Sequence, residues 1–182
     1  MRQNINWGII GLGNIALQFA QAFKDSTNSK LKGISSTNPE KIKVFQEKFE
    51  INKEYCFNNY QDLLNCDNID IVYIALPNSM HKEWILKSIN NNKNILVEKP
   101  GALIDKEFEE LVYLSESKKA NIFIAYNRRF YASVIEAERL IMEDGGLQSM
   151  HFEFTEWAHT IEPLQKAEGV KENWFFANST HV

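Results

Sequence analysis

The stretch WGIIGLGNIA, residues 7–16, decides the fold. An apolar run leads into Gly11, a G-x-G-x-x-A pattern turns the chain, and an amphipathic segment follows at once. This order predicts a strand, a glycine turn and a helix, the arrangement that a dinucleotide pyrophosphate requires. Gly11 permits the tight turn, Gly13 lets the backbone approach the phosphates, and Ala16 keeps helix and strand close together. The N–H groups at the helix N-terminus then face the anion. Because glycine turns also join ordinary strands and helices, a purely structural turn is the alternative.

Length, charge and cysteine content limit the classes of protein that the chain fits. Its 182 residues are enough for one full domain and part of another. A net charge of -4 without a basic cluster argues against nucleic acid as a partner. No apolar run approaches the roughly 20 residues that span a bilayer, and the first strand begins too early to leave room for a signal peptide. The two cysteines lie outside any metal-ligand pattern, so we predict no metal site, packed thiols and a cytoplasmic location.

Strands and amphipathic helices alternate through the first two thirds of the chain. This alternation predicts an α/β fold, a Rossmann doubly wound parallel sheet with crossover helices. After the first strand, further strands are predicted at residues 31–35, 71–76, 94–97 and 121–126. Helices are predicted after the glycine turn, from Pro39 onward, and at residues 80–90 and 102–118.

The pattern changes after residue 125. A helix around residues 134–141 is predicted to end at Gly145-Gly146, and residues 150–155 then alternate between apolar and polar side chains. We therefore predict a cofactor-binding domain at residues 1–125 and the first part of a second, α/β domain with an open antiparallel sheet at 126–182. Because a lone strand cannot form a sheet, we expect that the sequence is truncated or that another polypeptide completes it.

Polar residues follow the buried strand at 71–76, in the segment Leu76-Pro77-Asn78-Ser79-Met80-His81. Ligands of open parallel sheets bind beyond the carboxyl ends of the strands, so this segment lies at the expected edge. Asn78 and Ser79 are candidates both for capping the next helix and for contacting a cofactor. His81, in the first turn of that helix, is a candidate contact as well, although a structural role is the favoured interpretation.

The tripeptide Glu98-Lys99-Pro100 follows the next strand. Oxidation of an alcohol removes a hydride from carbon while a base accepts the hydroxyl proton. An amine such as that of Lys99 does this when burial and a neighbouring positive nicotinamide ring lower its pKa. Glu98 would orient the lysine or bind ribose, and Pro100 would fix the path of the loop. The alternative is an ordinary surface lysine at a strand end.

Together these segments resemble the Gfo/Idh/MocA oxidoreductase family, related to glucose-fructose oxidoreductase and inositol dehydrogenase. The resemblance is carried by four segments in order, namely the glycine turn, Pro77-Asn78-Ser79-Met80-His81, the hallmark Glu98-Lys99-Pro100, and Asn127-Arg128-Arg129-Phe130. It implies a Rossmann domain followed by a substrate domain that often mediates homo-oligomerisation, a small sugar-like substrate, and catalytic roles for Lys99 and His181. Ala177 stands where many relatives carry an aspartate, which puts a Lys-Asp-His arrangement in doubt. Arg128 and Arg129 are equally consistent with an anion clamp and with a salt bridge between domains.

The choice of cofactor depends on the end of the second strand. An NAD site usually places a carboxylate there, roughly 20 residues past the glycines, whereas this chain has Ser36 and Thr37, with Lys41 nearby. We therefore favour NADP over NAD. The predicted cofactor contacts are Gly11, Gly13, Asn14, Ile15, Ala16, Ser36, Thr37, Leu76, Pro77, Asn78, His81, Glu98, Lys99 and Asn127.

Two functions fit these features, and the first is the favoured one. One is an NAD(P)-dependent oxidoreductase that moves a hydride to or from a secondary alcohol or ketone of a sugar, cyclic polyol or sugar derivative. The other is a non-catalytic NAD(P)-binding module, such as a redox sensor or a regulatory subunit.

Overall fold

The computed structural model describes residues 4–146 and 149 of the chain. Its strands are β1 (Ile5–Ile10), β2 (Ser29–Ser35), β3 (Cys56–Phe57), β4 (Ile71–Ile74), β5 (Asn94–Val97) and β6 (Ile122–Ile124). They form one sheet in the order β3-β2-β1-β4-β5-β6, and every hydrogen-bonded pair is parallel. The strand order reverses between β1 and β4, the point at which doubly wound sheets open a crevice for ligands. This arrangement confirms the predicted fold class.

Helices connect the strands. They are α1 (Asn14–Gln21), α2 (Pro39–Phe49), α3 (Tyr60–Leu64), α4 (His81–Asn90), α5 (Asp105–Lys118) and α6 (Ala132–Glu143), with 3₁₀ turns at Ala22–Asp25, Lys53–Tyr55, Asn78–Met80 and Asn127–Phe130. The bounds of α2 follow from its local sequence. Asn38 Oδ1 accepts hydrogen bonds from the backbone N–H groups of Glu40 and Lys41, at 3.0 and 3.3 Å. Pro39 occupies the first helical turn as predicted, where its missing N–H costs nothing.

The sheet is covered on both faces by helices. Ile9 and Ile10 are adjacent on β1 and both fully buried, yet they pack into different clusters. The cluster of Ile9 includes residues of α1 and α2, whereas that of Ile10 includes residues of α3, α4 and α5. Because successive strand residues point to opposite faces, a strand buried on both faces reads as a continuous apolar run. Each such side chain contributes about 1.5–3 kcal/mol when it leaves water.

Several predicted elements differ in extent from the structure: the strand at residues 31–35 begins earlier, at Ser29, and the helix at residues 80–90 begins at His81. The strand at residues 71–76 ends at Ile74, the strand at residues 121–126 spans only Ile122–Ile124, and the helix at residues 102–118 begins at Asp105. The later helix start has a local reason, since Ile104 adopts an extended conformation with φ of -137°. Residues before it cannot join the helical hydrogen-bond pattern.

The sequence analysis missed β3 and α3, so the strand predicted as the fifth is the sixth. Both elements are too short to show a hydrophobic period. The available signal was Asn59, which caps α3 by accepting hydrogen bonds from the N–H groups of Gln61 and Asp62.

The chain divides into two units between Ala125 and Tyr126. In the second unit α6 carries ion pairs from Arg139 to Glu136 and Glu143. The helix ends at Glu143, and Gly145 and Gly146 follow with positive φ of 87° and 105°, which confirms the predicted glycine C-cap. The strand predicted at residues 150–155 lies outside the described residues.

Neither cysteine of the chain forms a disulfide. Cys56 and Cys66 are half-buried and pack against the core clusters, as predicted. Burial raises the pKa of the Cys56 thiol. Among residues 4–146, every helix is too short or too polar to reach across a bilayer.

Candidate functional site

The glycine turn lies at the switch point between β1 and β4. Gly11 has φ of +89°, a conformation that side-chain-bearing residues rarely adopt. A Cβ on Gly11 would stand 2.6 Å from the carbonyl oxygen of Ala75, just beyond β4. The Gly11 N–H also donates to the carbonyl of Ser35 at the end of β2, at 3.0 Å. The turn therefore ties the ends of three strands together, and only glycine fits there.

Gly13 differs from Gly11 in its backbone conformation and in its surroundings. It is the N-cap of α1, with an ordinary φ of -95°, and a Cβ at this position would meet nothing within 4 Å. The space beside its backbone is therefore open. Where α2 and α3 begin, asparagine side chains cap the first N–H groups, but the Gly13 cap supplies no such oxygen to α1. An open space beside uncapped N–H groups fits a pyrophosphate.

The first residues of α1 divide into two sets. Asn14 and Ile15 are exposed, whereas Ala16 is fully buried in the cluster that joins α1 to the sheet. Burial of Ala16 agrees with its predicted role of keeping helix and strand close.

The residues after β2 form the turn into α2. Ser36 is buried, and its Oγ accepts a hydrogen bond from the N–H of Asn38 at 3.1 Å. Thr37 and Lys41 are exposed at the same end of the strand. Ser36 thus shapes the turn, and Thr37 and Lys41 present exposed side chains beside it.

The segment after β4 packs beside the glycine turn. Leu76 is buried, with its Cδ2 only 2.9 Å from the position of a Cβ on Gly11. Pro77 is exposed and precedes the 3₁₀ turn Asn78–Met80, in which Asn78 is half-buried. These residues lie at the edge that was predicted for cofactor contact.

His81 occupies a different environment from its neighbours in that segment. Its ring is fully buried, with Nδ1 2.6 Å from the carbonyl oxygen of Pro100 and Nε2 2.8 Å from that of Leu76. Both ring nitrogens are engaged with the backbone, so neither is left for a cofactor. The geometry agrees with the structural role that the sequence favoured.

Lys99 follows the carboxyl end of β5. The side chains of Glu98 and Lys99 are half-buried, and that of Pro100 is buried. The Lys99–Pro100 peptide bond is cis. The Glu98 N–H donates to the carbonyl of Ile74 at 3.0 Å, which continues the pairing of β5 with β4 beyond the strands. The half-buried Lys99 is therefore held at the same edge as the glycine turn.

Sequence reasoning missed one residue that contacts this loop. Tyr73 lies within β4, is 1% exposed, and donates its hydroxyl to Glu98 Oε1 at 2.5 Å. Burial, followed by the charge of Glu98 and the hydrogen bond to it, raises the pKa of Tyr73. The available signal was the tyrosine itself, because a hydroxyl inside an otherwise apolar strand requires a partner.

The remaining predicted residues belong to the second unit. Asn127, Arg128 and Arg129 are exposed in the 3₁₀ turn Asn127–Phe130. His181 and Ala177 lie outside the described residues.

The sheet order and the glycine turn at the switch point define the domain as a dinucleotide-binding Rossmann domain. The profile of an oxidoreductase family with an NAD-binding Rossmann fold, Gfo/Idh/MocA, matches residues 5–126. The chain belongs to this family, which confirms the resemblance seen in the sequence.

Individual relatives agree with this assignment. The chain is 32% identical over 142 residues to "Oxidoreductase P35" of Formosa agariphila, covering 78% of this chain and 44% of that protein. It is 27% identical over 161 residues to a scyllo-inositol 2-dehydrogenase (NADP+) of Bacillus subtilis, covering 88% of this chain and 48% of that protein. The structure of a 3-ketoreductase of Actinomadura kijaniata, solved with NADP and TDP-benzene, superposes with a TM-score of 0.72 at 25% identity. The match covers 78% of this chain and 44% of the reductase. The chain thus spans a little under half the length of these relatives.

Proposed function

We propose that this chain carries the cofactor domain of an NAD(P)-dependent oxidoreductase that acts on a secondary alcohol or ketone of a sugar, cyclic polyol or sugar derivative. The observation that carries the proposal is the glycine turn, in which Gly11 packs against Ala75 while the space at Gly13 stays open. Lys99 lies at the same edge of the sheet, beyond β5. The names of the scyllo-inositol dehydrogenase and the 3-ketoreductase support this class of substrate.

The residues of the first unit fit the parts of a dinucleotide. The backbone at Gly11, Gly13 and the start of α1 would hold the pyrophosphate. Thr37 and Lys41 would face the adenosine ribose. Leu76, Pro77 and Asn78 would line the path toward the nicotinamide, close to Glu98 and Lys99. Asn127 is the predicted contact from the second unit.

Lys99 is the residue to which we assign proton transfer. A bound nicotinamide supplies the hydride acceptor or donor. When the alcohol is oxidised, Lys99 Nζ accepts the hydroxyl proton; when the ketone is reduced, it returns a proton to the oxygen. His181 is the proposed second proton carrier, because an imidazole titrates near neutral pH.

We further propose NADP as the preferred cofactor. The exposed Thr37 and Lys41 supply a hydroxyl and a positive charge where an NAD site usually places a carboxylate. Two of the similar proteins carry NADP in their names or complexes. Fluorescence titration of the chain with NADPH and NADH tests this, and tighter binding of NADH would contradict it.

The competing function is a cofactor-binding module without catalysis. Ala177, in place of the acid found in many relatives, favours it. Steady-state NAD(P)H oxidation with a panel of keto-sugars separates the two functions in the full-length protein. Nucleotide binding without turnover would support the module.

Substitution of Lys99 tests the assignment of the proton carrier. In the full-length protein Lys99→Met should lower turnover at least about a hundredfold and leave NADPH affinity nearly unchanged. Lys118→Met, at an exposed position near the end of α5, is the matched control and should behave as the wild type. Unchanged turnover in Lys99→Met would remove Lys99 from the mechanism.

A further inference from the structure

Both neighbours of Lys99 are bonded to side chains that lie outside its loop. Tyr73 Oη donates to Glu98 Oε1 at 2.5 Å, and Glu98 Oε2 lies 3.4 Å from the N–H of Lys99. On the other side, His81 Nδ1 lies 2.6 Å from the carbonyl oxygen of Pro100. The backbone of Lys99 is therefore fixed on both sides by residues distant in sequence.

These two anchors approach from opposite faces of the sheet. Tyr73 belongs to the cluster shared with α1 and packs against Phe19, with ring centroids 4.0 Å apart and ring planes tilted by 35°. His81 begins α4, whose buried residues Trp84, Ile85 and Ile89 pack in the other cluster. Both rings are at most 1% exposed, so neither moves unless the core around it repacks.

We propose that Tyr73 and His81 are positioning residues, which together set the direction of the Lys99 side chain toward the reacting centre. The inference rests on the proposed function of Lys99 and adds to it the means by which the lysine is held. Neither residue touches the reacting atoms; each acts through a neighbour of Lys99.

In the Tyr73 contact, a buried phenol hydroxyl donates to the charged carboxylate of Glu98. The raised pKa of Tyr73 keeps the hydroxyl protonated, so it always donates to the carboxylate of Glu98. Hydrogen bonds to charged groups are among the stronger ones in proteins. Without the hydroxyl, Glu98 Oε1 loses this donor and the carboxylate is free to rotate away from the Lys99 N–H.

The His81 contact joins two loops at once, because its second nitrogen lies 2.8 Å from the carbonyl oxygen of Leu76. A neutral ring donates to one of the two carbonyls, whereas an imidazolium donates to both. In either form the ring donates to at least one of the two segments and lies against the other, and both segments carry predicted cofactor contacts. A displacement of one loop by 1 Å is enough to lower a rate by about a hundredfold.

The first test removes the phenolic oxygen alone. In the full-length protein Tyr73→Phe should lower kcat about tenfold, which corresponds to loss of one hydrogen bond to a charged group, while the KM for NADPH stays unchanged. In the same protein without nucleotide, amide hydrogen exchange at residues 98–101 should become at least several-fold faster. Tyr113→Phe, at a side chain that is 78% exposed, is the matched control and should change neither quantity.

The second test uses two histidine variants. His81→Leu removes both ring contacts, whereas His81→Gln retains an N–H donor, so glutamine should restore part of the kcat and of the exchange protection lost with leucine. If the leucine variant does not fold, the glutamine variant alone is compared with the wild type, and it should still show faster exchange at residues 98–101.

The readouts distinguish failure of this inference from failure of the proposed function. Absence of turnover in the wild type would refute the function, but exchange at residues 98–101 would still test the anchoring. Wild-type exchange in both Tyr73→Phe and His81→Gln would overturn the inference. Faster exchange with unchanged kcat in an active enzyme would overturn it too, because the contacts would then be merely structural.

Discussion

The amino ends and the carboxyl ends of the parallel strands form two edges of the sheet, and their polar groups differ in environment. At the amino edge, Lys93 immediately precedes β5, and its Nζ donates to the carbonyls of Cys66 and Ile69, at 2.7 and 2.8 Å. At the same edge Asp70 Oδ2 accepts from the N–H of Asn6 at 2.8 Å. At the carboxyl edge, the backbone at Gly13 faces open space. The strand β5 thus has a lysine near each end. Lys93, before the strand, stabilises the fold, whereas Lys99, after it, is the residue to which we assign proton transfer.

The largest effect is expected at Gly11, where fold and site coincide. Gly11→Ala puts a methyl group 2.6 Å from the Ala75 carbonyl oxygen at a positive φ, so the ends of β1 and β4 must separate. We expect a loss of at least about 2 kcal/mol in the free energy of unfolding together with loss of NADPH binding. Urea denaturation and fluorescence titration measure the two quantities. Wild-type stability would show that the turn tolerates a side chain.

Gly13→Ala separates the site from the fold. The φ of -95° suits alanine and the new methyl group meets no protein atom, so stability should change by less than about 1 kcal/mol. The methyl group would instead occupy the space that we assign to the pyrophosphate, and NADPH affinity should fall at least about tenfold. Affinity equal to that of the wild type would refute the pyrophosphate assignment even if Gly11→Ala abolished binding.

These two glycines also show what sequence alone can predict. The glycine turn, its strand and its helix are contiguous, so their spacing in the chain carries their geometry. The anchors of Lys99 are not contiguous with it, since Tyr73 precedes Glu98 by 25 positions and His81 precedes Pro100 by 19. No periodicity records such pairs. Only the order of β4 and β5 in the folded sheet brings them together.

The contacts of Lys93 at the amino edge could not be predicted from the sequence either, because its partners precede it by 27 and 24 positions. Lys93→Met removes the ammonium donor from both carbonyl oxygens, of which only that of Cys66 keeps another donor, the N–H of Ile69 at 3.2 Å. We expect a loss of about 1–3 kcal/mol in the free energy of unfolding. NADPH affinity should stay at the wild-type value, in contrast to Gly13→Ala. Reduced affinity in a folded Lys93→Met protein would mean that the two edges are not independent.

The smallest expected effect is the pH dependence that Lys93 imposes on stability. Burial lowers the pKa of Lys93 below its ordinary value of 10.5, so between the folded and unfolded pKa the unfolded chain binds more protons. Stability therefore gains a contribution as pH rises through that window, since the cost of burying the charge disappears when the amine is neutral. Lys93→Met lacks this contribution, so the stability difference in favour of the wild type should widen as pH rises toward 10.5. Parallel urea denaturations of the two proteins across this range measure the difference, and a gap that narrows would mean that the ammonium form is the one that the amino edge stabilises.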